Sequence, residues 1–213
     1  VPEDDTAAVM WYTRAAEQGN ANAQYNLGIM YANGEGVAEN DATAVMWLTR
    51  AAEQGNANAQ INLAFMYANG EGVPEDNVTE VMWLTRAAGQ GSANAQYNLG
   101  IMYANGEGVA ENDSTAVMWL TRAAEQGNAN AQYNLGVMYA NGEGVPENDA
   151  TAVMWYTRAA ELGNAPAQAF LELMADNGEG VPEDDTTDLM QLTELAEQGN
   201  ANAQYNLGVM YAN

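Results

Sequence analysis

The chain has 213 residues, with 5 basic against 29 acidic side chains and a formal net charge of −24 at pH 7, while hydrophobic residues make up 47%. That apolar share is enough for a buried core, so the acidity is not that of a disordered acidic tail. With neither cysteine nor histidine, a disulfide framework, a Cys/His zinc site, a Ser-His-Asp triad and a Cys-His nucleophile are excluded, and so negative a surface repels nucleic acid and anionic membrane.

No apolar run is long enough to span a membrane, and no basic n-region with an apolar h-region opens the chain. The first residue is Val1 rather than Met, so a processed or excised segment is expected. Valine recurs as Val1, Val37, Val73, Val109, Val145 and Val181, dividing a single solenoid domain over 1–213 into units 1–36, 37–72, 73–108, 109–144, 145–180 and 181–213. The first and fourth units differ at 6 of 36 positions, so one local structure is being reused.

In the first unit Asp4 and Asp5 precede a segment in which Ala8, Trp11, Tyr12, Ala15 and Ala16 recur at three- and four-residue spacing. This predicts a helix A over about 6–18. Gly19 ends it and Asn20 caps the next. Ala23, Leu27, Met30 and Tyr31 then mark a helix B over about 21–32, and Asn33 is read as a further capping residue before Gly34-Glu35-Gly36 turns the chain back. Pro2, Pro74, Pro146 and Pro182 fall between helices, where a missing N–H removes nothing from a ladder. One helix pair cannot bury both of its faces, so neighbouring pairs must stack. Ala16, Ala23 and Gly28 are expected to let backbones approach, with Trp11, Leu27 and Tyr31 filling the spaces between them. Glycine at position 28 costs about 1 kcal/mol of helix propensity relative to alanine, which a close helix crossing explains better than a hinge.

The words W-Y-T-R-A-A-E-Q-G at 11–19, A-Q-Y-N-L-G at 23–28 and M-Y-A-N-G-E-G-V at 30–37 return through the whole chain. In them the sequence resembles a Sel1-like repeat protein, a relative of the tetratricopeptide proteins. The resemblance implies an all-α fold, a right-handed α/α superhelical solenoid of six 36-residue two-helix repeats. It also implies a protein-binding scaffold without catalytic residues or cofactor. Family members often carry Lys or Arg where Met10, Thr13 and Glu35 stand here.

Helix geometry places Met10 on the outward side of helix A. Its counterparts Met46, Met82, Met118, Met154 and Met190 are expected to extend it into an exposed row. Such a row either covers neighbouring rings or offers an adaptable strip to a partner protein or a second copy. The five basic residues, Arg14, Arg50, Arg86, Arg122 and Arg158, each follow a tryptophan by three residues: Trp11, Trp47, Trp83, Trp119 and Trp155. That spacing allows each guanidinium to lie on a ring. In the sixth unit Gln191 and Glu194 replace both partners. Asparagine side chains beyond the caps are expected to form hydrogen-bond ladders between repeats. Asn77-Val78-Thr79 and Asn112-Asp113-Ser114 match the glycan acceptor pattern, as chance allows in an Asn-rich chain.

Carboxylates gather between repeats, as in Glu35 with Glu39 and Asp41. High salt or divalent cations are therefore expected to stabilise the stack, with calcium as the candidate ion because it accepts oxygen ligands, although no EF-hand pattern is present. Paired carboxylates could serve glycoside hydrolysis, yet every repeat carries the same acidic words and none a distinct chemical centre, so no enzyme is expected.

The pattern breaks where Phe170 and Glu172 depart from the repeat and meet Gln191 and Glu194 of the next unit. Complementary repacking is expected at this junction, with a bend or partner pocket as the alternative. Neither end carries a polar cap, so flanking repeats or domains are expected; the alternative is a structural subunit stacking head to tail into an extracellular or surface filament. An extracellular or periplasmic location is favoured over a cytoplasmic one.

Overall fold

A computed structural model of the chain describes residues 4–177 together with residues 193, 196, 197 and 204. Among the described residues ten helices of thirteen residues follow one another: α1 Asp5–Glu17, α2 Ala21–Asn33, α3 Asp41–Glu53, α4 Ala57–Asn69, α5 Asn77–Gly89, α6 Ala93–Asn105, α7 Asp113–Glu125, α8 Ala129–Asn141, α9 Asp149–Glu161 and α10 Ala165–Asn177. They make five helix pairs of an all-α, right-handed solenoid type. Two compact units divide them, residues 1–110 with α1 to α6 and residues 111–213, in which α7 to α10 are described. The sixth repeat lies largely outside the described residues. None of the described helices is long and apolar enough to cross a membrane.

Capping side chains set the helix starts. The Asp4 carboxylate accepts from the Ala7 N–H at 3.0 Å and the Asn40 side chain from the Thr43 N–H at 2.9 Å. Asn20 and Asn56 do the same for Ala23 and Ala59 at 2.9 Å. Each such bond satisfies a donor that the first turn leaves unpaired, and its loss typically costs about 1 kcal/mol. At the end of α2 the left-handed residue is Gly34, with φ 71°. Asn33 is the last helical residue, and it does not cap: its side chain donates to the Glu35 carboxylate at 2.8 Å.

The return loop is held from both sides. The Asn40 N–H donates to the Tyr31 carbonyl at 2.8 Å, tying the start of α3 to α2. Gly36, at φ 67°, lies so close to the Asp5 backbone that a Cβ would collide with its carbonyl group. The Gly-Glu-Gly word is therefore a packing requirement as well as a turn.

In residues 1–110, α2 packs on both α1 and α3, and α4 on both α3 and α5. Ala16, Ala23, Leu27 and Trp47 form one buried cluster, joined by Val9, Tyr12, Ala15 and Tyr31. The tryptophan of one pair thus closes on the alanines and leucine of the pair before it. A Cβ on Gly28 would stand 2.7 Å from Leu48 Cγ, which makes position 28 a close crossing of α2 with α3. Trp11 departs from the expectation that it fills an interhelix space. It is 60% exposed where Trp47 is 8% exposed, because no preceding helix pair covers α1 among the described residues.

Candidate interaction surface

Met10, Met46 and Met82 occupy the same helical position of α1, α3 and α5, with exposures of 43%, 41% and 40%. Met118 of α7 is equally open. Met154 does not continue this row, contrary to the expectation from helix geometry: it is 4% exposed. The cause lies in α9 as a whole, since Ala152 through Thr157 are all buried. Six consecutive buried residues span more than one turn, so the outer face of this helix is covered as well as its inner one. Met190 lies outside the described residues.

Each arginine rests on its tryptophan. The guanidinium carbon is 4.8, 4.7, 4.6, 4.8 and 5.0 Å from the ring centroid for Arg14 on Trp11, Arg50 on Trp47, Arg86 on Trp83, Arg122 on Trp119 and Arg158 on Trp155. At exposed sites such a contact is worth about 0.5–1 kcal/mol. All five basic groups of the chain are thus engaged on aromatic faces of the A helices. Gln191 and Glu194 lie outside the described residues.

A second internal array is made of glutamines. Buried Gln24 donates to the Ala16 carbonyl at 3.0 Å and accepts from Gln54 of the next pair at 2.6 Å. Gln60 repeats this with Ala52 and Gln90, at 3.0 and 2.7 Å. Gln132 keeps the first bond, to Ala124 at 3.0 Å, but Leu162 stands where Gln54 and Gln90 stand, and Gln132 Oε1 is buried without a partner. Sequence reasoning missed this ladder, although the interruption of the E-Q-G-N word by Leu162 marked its weak rung. Asparagines bridge pairs outside it: Asn56 donates to Asn22 at 3.1 Å and Asn164 to Asn130 at 3.0 Å.

The loop carboxylates are engaged singly. Glu35, Glu71, Glu107 and Glu143 accept from Asn33, Asn69, Asn105 and Asn141 at 2.8 to 3.1 Å. Among the described residues no group of three or more His, Cys, Asp or Glu could hold a metal ion, so the calcium suggested by the oxygen-rich loops finds no cluster there. The Thr79 hydroxyl and then its N–H, both bonded to Asp76, hold that carboxyl below its usual range. Burial, and secondarily the charge of Glu107, raises Glu80.

A cavity of about 340 Å³ opens in the first pair, with Tyr12, Tyr25 and Ile29 on its walls and Asp5 and Glu35 at its edge. Phe170 of α10 stands at the other end of the described residues. It packs with the buried cluster of α9, its ring centroid 4.3 Å from that of Tyr156, which in turn lies 5.6 Å from Tyr133. Burial, and then Tyr133, pushes the Tyr156 hydroxyl up to about 12. Glu172 is exposed on α10.

The Sel1 repeat family model matches residues 1–20, 21–56, 57–92, 93–128, 129–164 and 201–213. A Sel1 repeat protein from Oxalobacter formigenes is similar at 42% identity and a TM-score of 0.74, over 81% of this chain and 50% of that one. c5321, a protective antigen present in uropathogenic Escherichia coli strains and displaying an SLR fold, is 37% identical with a TM-score of 0.78, over 95% of this chain and 44% of that one. Helicobacter pylori cysteine rich protein B shares the fold at 22% identity and a TM-score of 0.50, over 62% of this chain and 95% of that one. No curated protein matches the chain. The chain spans about half the length of the first two relatives. Stacked helix pairs, the alanine-leucine-tryptophan closure between them and the family match over most of the sequence lead to one conclusion: the chain belongs to the Sel1 repeat family.

Proposed function

We propose that the protein is a non-enzymatic scaffold for protein–protein interaction, built of six 36-residue Sel1 repeats and acting through surfaces that recur from pair to pair. The observation that carries this reading is the half-exposed row of Met10, Met46 and Met82 on successive A helices. Unbranched, polarizable methionine side chains adapt to differently shaped partners, and an apolar row repeated on a strongly acidic surface calls for a contact. The repeats supply many copies of one surface and no distinct chemical centre, which suits binding better than catalysis. An extracellular or periplasmic setting fits the likeness to c5321, described as a protective antigen.

Replacing Met46, Met82 and Met118 together by Gln tests the reading. Capture of a partner protein should fall by about tenfold while helical content stays the same; unchanged capture would overturn the role of the strip. In a second reading copies stack head to tail into a filament through the contacts used between successive pairs. Sedimentation of the full-length protein over a concentration series should then show growing assemblies, and a constant monomer would rule this out.

A further inference from the structure

A different face of residues 1–110 carries a second recurrent pattern. The cavity of the first pair is walled by Tyr25 and Ile29 of α2 and edged by Glu35. The same positions in the next two pairs hold Ile61, Phe65 and Glu71, then Tyr97, Ile101 and Glu107. Phe65 is 45% exposed, a large ring left open to solvent, and Glu35, Glu71 and Glu107 are all exposed. Two of the B helices that carry these residues meet directly, since Asn62 of α4 donates to the Tyr25 hydroxyl of α2 at 3.4 Å.

The charge of this face has one sign. All five basic residues lie on tryptophans of the A helices, so no lysine or arginine neutralises the glutamate edge. In the third pair Glu80 of α5 adds a partly buried carboxyl at the position that Ala8 holds on the cavity of the first pair.

We propose that this face binds an extended segment of a partner protein in which apolar residues alternate with lysines or arginines. The apolar side chains pack on Ile29, Phe65 and Ile101, and the cationic ones pair with Glu35, Glu71 and Glu107. Packed helices lie roughly 8–10 Å apart and a chain in the polyproline II conformation advances about 3.1 Å per residue with three residues per turn, so the segment presents an apolar group to this face at about every third residue. Electrostatic attraction speeds the encounter, and the apolar contacts hold the complex. The proposal rests on the scaffold reading and names a different face from the methionine row.

The probe is a synthetic twelve-residue peptide with leucine at every third position and lysine at most others, added to the full chain and followed by fluorescence anisotropy. Two controls replace either the leucines by glycine or the lysines by glutamate. The Leu/Lys peptide should bind, both controls should bind at least about tenfold more weakly, and raising the salt should weaken the complex. Phe65→Asn, an exposed substitution that spares the core, should cost about tenfold in affinity. Glu71→Gln with Glu107→Gln should flatten the salt dependence, and Met46→Gln with Met82→Gln should change neither. No binding of the Leu/Lys peptide, or equal binding of the glycine control, overturns the proposal. Binding lost in the methionine variant but kept in Phe65→Asn overturns it too while leaving the scaffold reading standing.

Discussion

Residues 8–17 and 152–161 are the same ten-residue word, AVMWYTRAAE, folded into the same helix at two places, and they meet solvent in opposite ways. In α1, Met10 and Trp11 are exposed; in α9, Met154, Trp155, Tyr156 and Thr157 are all buried. Local sequence therefore fixes the helix and its cap, while the neighbours decide which side chains become surface. α3 and α5 show the intermediate case, with tryptophan covered by the preceding pair and methionine left open. The accessible methionine row thus belongs to pairs whose outer face is open, and α9 has become a core helix. Tyr156 between Tyr133 and Phe170 and the unpaired Gln132 Oε1 belong to the same altered region.

The sharpest contrast comes from two equivalent glycines. A Cβ on Gly136 would lie 2.6 Å from the Tyr156 ring, whereas one on Gly28 would lie 2.7 Å from Leu48 Cγ, an aliphatic side chain in place of a ring. Gly136→Ala should destabilise by about 3 kcal/mol, because a buried ring packed between two others has little room to yield. Gly28→Ala should fall within about 1 kcal/mol of neutral, since helix propensity improves and Ala64 already occupies this position in the second pair. Equal losses in urea melts would remove the distinction.

Next comes the methionine pair. Met154→Gln should cost about 2 kcal/mol by burying an amide, against about 0.5 kcal/mol or less for Met46→Gln, both read from thermal unfolding. Smaller still is the repair of the glutamine ladder: Leu162→Gln should add about 1 kcal/mol by giving Gln132 Oε1 a donor. No gain in stability would show that the missing rung is not what Gln54 and Gln90 supply elsewhere.

The smallest effect is confined to alkaline pH. Tyr156 ionises near 12 in the folded chain against 10.0 for an ordinary tyrosine. The neutral form is therefore favoured by folding, and its contribution is complete below about pH 10 and lost as pH rises towards 12. Tyr156→Leu, which copies Leu48 and Leu84, should lessen the loss of stability over that interval. An unchanged alkaline profile would contradict a special environment for this ring.

The helices were legible because caps, periodicity and glycines are local signals: Asn20 and Gly34 sit within a residue of the boundaries they set. Gly28 was legible as a close crossing because only packing explains a glycine inside so regular a helix. The Gln24–Gln54 bond was not, since its partners are 30 residues apart and both side chains can be satisfied locally in an isolated helix. Nor was the burial of Met154 or the exposure of Trp11, because the same word surrounds each. The face around Phe65 was not legible either, since Tyr25, Ile29 and their counterparts lie off the stripe of Ala23, Leu27, Met30 and Tyr31 that marks helix B.

Oxidation footprinting of the native chain tests the central claim that one repeated word yields open surface in some pairs and core in another. Thioether oxidation follows exposure. Brief treatment with dilute peroxide, read by peptide mass spectrometry, should modify Met10, Met46, Met82 and Met118 about tenfold faster than Met154, in proportion to exposures near 40% against 4%. Oxidation of Met154 at the same rate as Met46 and Met82 would contradict the account.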